Sequence, residues 1–244
     1  MEKYSQIPEA QMSAARCDVQ DMLATALAEC GLEDPQDSPA RCKDTGDGAI
    51  LLFPASALAR LVDPLLGRLN AALARREQVR FASDPPVRLR TSVHVGPLSV
   101  PDQRGDAINE VCRLVNSDQA RAALSAAKDT GSFLSAVLSE TVYRRTVAAG
   151  RTAELGRQHF LETVAHVSGK PDFEEPCRVH VPGLTAPAVR PYLAPEPSQD
   201  QQPASSATAA PAAGGGASFQ FHAPVHDPTI AGDIKHLRID RRQR

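Results

Sequence analysis

Between Gln11 and Leu32, apolar side chains fall on Met12, Ala15, Val19, Met22, Leu23, Leu27 and Cys30, the spacing of an amphipathic helix, with Gly31 behind them as a C-cap. A second stripe, Leu58, Leu61, Leu65, Leu66, Leu69 and Leu73, predicts another helix, bent at Pro64 because proline has no amide hydrogen for the ladder. Between the two, "CKDTGDGAILLF" (42–53) reads as strand, turn and strand, with Asp47-Gly48 as the turn pair because both residues tolerate positive φ. From Val87 the period drops to two. Val87, Leu89, Thr91, Val93 and Val95 alternate with Arg88, Arg90, Ser92 and His94, which predicts a half-buried strand whose arginines face solvent. "GDAINEVCRLVNSDQARAAL" predicts a third helix with Asp106 as N-cap and Ile108, Val111, Cys112 and Val115 on its apolar side. "SFLSAVLSE" reads as a buried strand and "TVYRRTVAA" as a short helix. "FLETVAHVSG" and "PCRVHVPG" read as an antiparallel pair.

This order of elements predicts an α+β sandwich with helices packed on a mostly antiparallel sheet, occupying residues 1–183. After Gly183 large apolar residues become rare and Pro, Ala, Ser and Gln dominate, so 184–217 is expected to be a disordered linker. Residues 218–244, "SFQFHAPVHDPTIAGDIKHLRIDRRQR", regain spaced apolar residues and finish basic.

Composition narrows the function classes. The 244 residues are 42% hydrophobic, enough for one core. A net charge of -2 and a pI of about 6.4 give no general attraction to nucleic acid or anionic lipid, so neither is expected as a partner. The five cysteines are odd in number and lack CxxC spacing, which fits a reducing compartment better than a disulfide framework or a zinc site. No apolar run approaches the roughly 20 residues of a membrane span, and the N-terminus lacks a signal-peptide core. A cytoplasmic protein is expected.

Two places carry candidate chemistry. Asp47 at a turn tip offers carboxylate oxygens to a hard cation, although a hairpin needs no cation to explain an Asp-Gly turn. Asn109 and Arg113, four apart on a helix, share one face, and taken alone that is an ordinary solvated face. His94 reads as an exposed or satisfied strand histidine rather than a ligand, and Cys112 as a small core residue.

The joint spacing resembles the class III nucleotidyl cyclases, the adenylate and guanylate cyclase family. Their motif K-x-x-G-D matches Lys43 to Asp47, and D-x-x-G-x-x-V-N-x-A-x-R matches Asp102, Gly105, Asn109 and Arg113 in spacing. The strand "VRLRTSVHVGPL" resembles the one that precedes the second motif, and the likeness covers roughly the first 183 residues. It implies a ferredoxin-like α/β sandwich of the cyclase type acting as a homodimer on ATP or GTP with Mg²⁺ or Mn²⁺. By the resemblance Asp47 would bind the metal, Lys43 and Asp102 would read the purine, Asn109 would orient the ribose and Arg113 would stabilise phosphate charge. Asp47 would face the other four across the dimer. Asp102 at the purine leans towards ATP, since a carboxylate accepts from an exocyclic amino group.

Two departures stand against it. The family's first strand carries a second metal aspartate, and "MEKYS" resembles that motif's end, so by the resemblance the aspartate would fall just before Met1: either the reading frame starts short and the first strand would be truncated, the favoured expectation, or half the metal site is lost. "VSGKP" has Ser168 where the family has a phosphate-touching lysine, leaving Lys170 as a substitute. The alternative expectation is therefore an inactive cyclase-like signalling or oligomerisation module. In either case the C-terminal stretch resembles, weakly, short amyloid-type signalling motifs of some actinobacterial proteins and would recruit a protein partner. A chance apolar cluster is the competing reading.

Overall fold

The computed structural model describes residues 1–2, 4–36, 38–99 and 104–193. Helix α1 (Glu9–Glu29) ends as its sequence asks: Gly31 takes φ +62°, its N–H donates to Ala28 O at 3.0 Å, and Leu32 N–H reaches back to Leu27 O at 2.9 Å. That is the paired closure of a Schellman end, and it satisfies carbonyls the helix leaves open. Strands β1 (Cys42–Asp44) and β2 (Ala49–Leu51) form an antiparallel hairpin. The leucine stripe that follows is not one bent helix but two, α2 (Leu58–Val62) and α3 (Leu65–Val79), broken at Asp63-Pro64. The break is held from outside: the buried Asp63 carboxylate accepts the N–H groups of Glu154 and Leu155 at 2.7 and 3.2 Å.

Strand β3 (Leu89–Val93) follows. The predicted third helix also divides, into α4 (Asp106–Val115) and α5 (Asp118–Asp129). Ser117 starts the second one, its Oγ accepting Ala120 N–H at 3.1 Å. Asp106 is the first helical residue of α4 rather than its cap; Gly105 is the cap. Then come β4 (Leu134–Ser139), α6 (Glu140–Arg145), β5 (Leu161–Val167) and β6 (Lys170–His180). Residues 184–193, expected to open the linker, instead carry α7 (Ala186–Leu193). Val189 of α7 is fully buried beside α5 and β6, so one well-placed apolar side chain anchors a segment whose composition alone looked too poor to fold. Residues 194–217 of the expected linker and the motif at 218–244 lie outside the described residues.

The main sheet has the order β3-β4-β6-β5, with β3 parallel to β4 and the other two pairings antiparallel. The mixture has a simple cause: β3 and β4 are joined by a helical crossover, which returns the chain in the same direction, whereas β5 and β6 are joined by a tight turn. Both faces of the sheet are covered. Leu134, Ala136 and Leu138 of β4 pack with α1, α2 and α3, while Val137 packs with α4, α5 and α7. The molecule is thus α+β, with a four-stranded mixed sheet between two helical layers and a separate two-stranded sheet. Among the described residues no helix is long and apolar enough to cross a membrane.

Candidate functional site

The hairpin turn differs from expectation by one residue. Thr45 N–H donates to Gly48 O at 3.1 Å, so the two tip residues are Gly46-Asp47, not Asp47-Gly48. Gly46 has φ +88°, the first-position glycine of a tight turn whose twist suits a hairpin. Asp44 props the turn, its carboxylate accepting Gly46 N–H at 2.7 Å and pairing with Arg16 at 2.6 Å. Those two donors, the amide first, hold the Asp44 carboxyl below the usual carboxylate range. Arg16 also donates to Gly46 O. Asp47, in contrast, stands exposed at the tip.

Arg90 and the Met1 ammonium lie within electrostatic reach of the Asp47 carboxylate. Sequence reading put Arg88 and Arg90 on a solvent face; both are half-buried. Arg88 lies 5.1 Å from the Phe133 ring centre. Burial first, and Arg121 second, push the Arg90 guanidinium below its ordinary value. Neither contact was legible locally, because α5 and Phe133 are brought up by the crossover.

The second cluster is on α4. Gly105 sits at φ +150°, and a Cβ there would lie 3.2 Å from Pro97 O, so the motif's glycine is explained by local backbone geometry alone. One turn on, Asn109 is exposed. Arg113 is half-buried, with its guanidinium 5.3 Å from the Phe173 ring centre, a stacking contact that fixes the direction of a long side chain. Just past the end of β3, His94 Nε2 lies 2.8 Å from the Glu110 carboxylate, while its buried Nδ1 has no hydrogen-bond partner among the described residues, so the histidine is only half satisfied. The Cys112 thiol is pushed up by burial, away from nucleophile chemistry.

Lys43 lies half-buried on β1 opposite Ile50. Lys170 is exposed at the start of β6, while Ser168 in the preceding turn donates to both Asp118 carboxylate oxygens at 3.0 Å. Asp102 lies outside the described residues. Within one chain, then, Asp47 is on the hairpin tip, and Asn109 and Arg113 are on the α4 face. Asp47 lines the large cavity between hairpin and sheet; Lys43, Asn109, Arg113 and Lys170 do not.

No group of three or more His, Cys, Asp or Glu suited to a metal is found among the described residues. At the turn Asp44 is engaged by Arg16 and an amide, which leaves the single carboxylate of Asp47 for a cation. One carboxylate fits a Mg²⁺ ion that arrives with phosphate oxygens; it falls short of a resident all-protein cage. No family model, curated protein or solved structure matches this chain.

Proposed function

We propose that the chain is a nucleotidyl cyclase-like domain of the ferredoxin-like type, acting as a homodimer that closes ATP or GTP to a cyclic nucleotide with release of pyrophosphate. One observation carries the reading: the two motifs' polar residues stand on outward surfaces, Asp47 at a loop tip and Asn109 with Arg113 on one helix face. In the reaction the ribose 3′-oxygen bonds to the α-phosphorus, loses its proton, and the bond to the β-phosphate oxygen breaks. Negative charge grows on the phosphates, and a guanidinium held by an aromatic ring meets that need in Arg113. Asn109, one turn back on the same face, offers an amide to the sugar, and Lys43 with Asp102 would read the base. Mg²⁺ or Mn²⁺ bound at Asp47 would supply Lewis-acid charge. Lys170 would hold a phosphate from the β5–β6 turn.

The second reading, an inactive cyclase-like module, is favoured by the single carboxylate at the turn and by Ser168 being tied to Asp118. Incubation of the purified protein with Mn²⁺ and ATP or GTP, read by chromatography for cyclic product, separates the two. Product formation supports catalysis; nucleotide binding without turnover selects the module; neither binding nor turnover overturns the cyclase and leaves only a module that binds no nucleotide.

A further inference from the structure

Two cavities meet at Val95, just past the end of β3, and they differ in charge. The larger, of about 700 Å³, is a slot between β2 and β3 with apolar walls from residues such as Leu61 and Val111. Its charged lining residues carry both signs, Arg16 and Arg90 against Asp47. The smaller, of about 490 Å³, is bounded by the start of α2 on one side and by the end of α6 and the loop after it on the other. Among the described residues its charged lining is Arg145 and Arg151 alone, with no carboxylate. Two like charges on one cavity favour an anion between them.

Exposed arginines are ordinarily just solvated. Here the backbone brings two of them to one rim. Helix α6 ends at Arg145; Ala148 N–H then donates to Tyr143 O at 3.0 Å, Gly150 turns the chain at φ +68°, and Arg151 N–H donates to Thr146 O at 2.9 Å. Thr146 is buried and its hydroxyl donates to Val142 O at 2.7 Å, which pins the loop to the helix it leaves. The rim is therefore preformed, so little ordering opposes a ligand. Other arginines nearby are engaged: Arg178 pairs with Glu140 and Glu162, and Arg157 donates to Ala148 O at 3.2 Å. The side chains of Arg145 and Arg151 have no hydrogen bond or ion pair among the described residues.

We propose that this cavity binds a small organic phosphate, its phosphoryl oxygens taken by Arg145, Arg151 and the Ser56 hydroxyl and its apolar body resting on Leu58, Ala59 and Val95. The three oxygens of a phosphate serve two guanidinium forks and a hydroxyl at once, which the two of a carboxylate do not. The volume suits a small ligand rather than a polymer. Asp47, Asn109 and Arg113 do not line this cavity, so the inference goes beyond the proposed cyclase reading and does not rest on it.

The test titrates phenyl phosphate into the 244-residue protein and follows the amide resonances of Leu58, Ala59 and Arg151. Saturable shifts are expected, with affinity about tenfold weaker in Arg145→Ala and in Arg151→Ala and unchanged in Arg113→Ala. Benzyl alcohol, which lacks the charge, should leave these amides in place. No shift at about 10 mM phenyl phosphate, equal affinity in both rim variants, or equal binding of benzyl alcohol overturns the proposal. Weakening by Arg113→Ala alone would put the phosphate on the α4 face, which overturns this site and leaves the cyclase reading standing. Should a rim variant not fold, nuclear Overhauser contacts in the unmutated protein decide: contacts from the phenyl ring to the Leu58 and Val95 methyls support the site, and their absence at saturation overturns it.

Discussion

β3 and β4 lie side by side in register, Leu89 beside Leu134 and Val93 beside Leu138, yet all six residues of β4 are buried and all five of β3 are only partly so. Both carry apolar side chains towards the same helices. The difference is in their neighbours, since β4 has β3 on one edge and β6 on the other, whereas β3 borders the slot. Burial is thus a property of the surroundings a strand finds, and the molecule has a closed half around β4 and β6 and an open half around β2 and β3.

The sharpest way to break this comparison is by truncation. Leu138→Ala in the closed half is expected to cost about 2–5 kcal/mol by urea unfolding, because its cavity cannot collapse, whereas Leu51→Ala beside the slot should cost under about 1 kcal/mol. Equal losses would erase the distinction.

Outward-facing residues should matter for chemistry instead, whichever half they border. If the proposed activity is present, Arg113→Ala should lose about 10²–10³-fold in turnover while shifting stability by no more than about 0.5 kcal/mol. Asp47→Asn should be similarly inactive, and mixing the two variants should recover about a quarter of the sites, since half the dimers are mixed and each has one intact site. Failure of the mixture to recover activity would place Asp47 and Arg113 in one chain's site.

Acid probes the closed half. His180 is buried, its Nδ1–H donating to His159 O at 3.0 Å, while Nε2 has no hydrogen-bond partner among the described residues and the Phe160 ring centre lies 4.9 Å away. Burial pulls its pKa down to about 4. The unfolded chain binds the proton near 6.5, so stability is full above that pH and falls as pH drops towards 4, by up to about 3 kcal/mol. His180→Gln should flatten this part of the urea-midpoint profile.

The smallest expected effect is in thiol labelling. Exposed Cys17 should react first, Cys112 beside the slot more slowly, and Cys177, whose thiol burial pushes up to about 12, only on unfolding.

Much of the frame was legible because it rests on local rules. Alternation from Val87 to Val95, the short Leu/Ala/Val/Ser run of β4 and the Gly31 helix end each depend on residues a few positions apart. The divided helices were less so: Pro64 marked a bend, but the break is stabilised by Asp63 bonding to Glu154 and Leu155 far along the chain. At the candidate site, motif spacing located the Asp47 tip and the Asn109–Arg113 face, while the partners that orient them, Arg16 beside Asp44 and Phe173 under Arg113, come from distant elements.

By itself, then, the order of residues determined the type of most elements, the presence of a hairpin turn in 42–53 though not its tip pair, and the shared face of α4, since periodicity and backbone conformation act within a few residues. Only the tertiary structure decided which strand edges pair, that α7 packs through Val189, and that a slot opens between β2 and β3. Those outcomes depend on contacts between segments far apart in the chain, and no local pattern encodes who the neighbour will be.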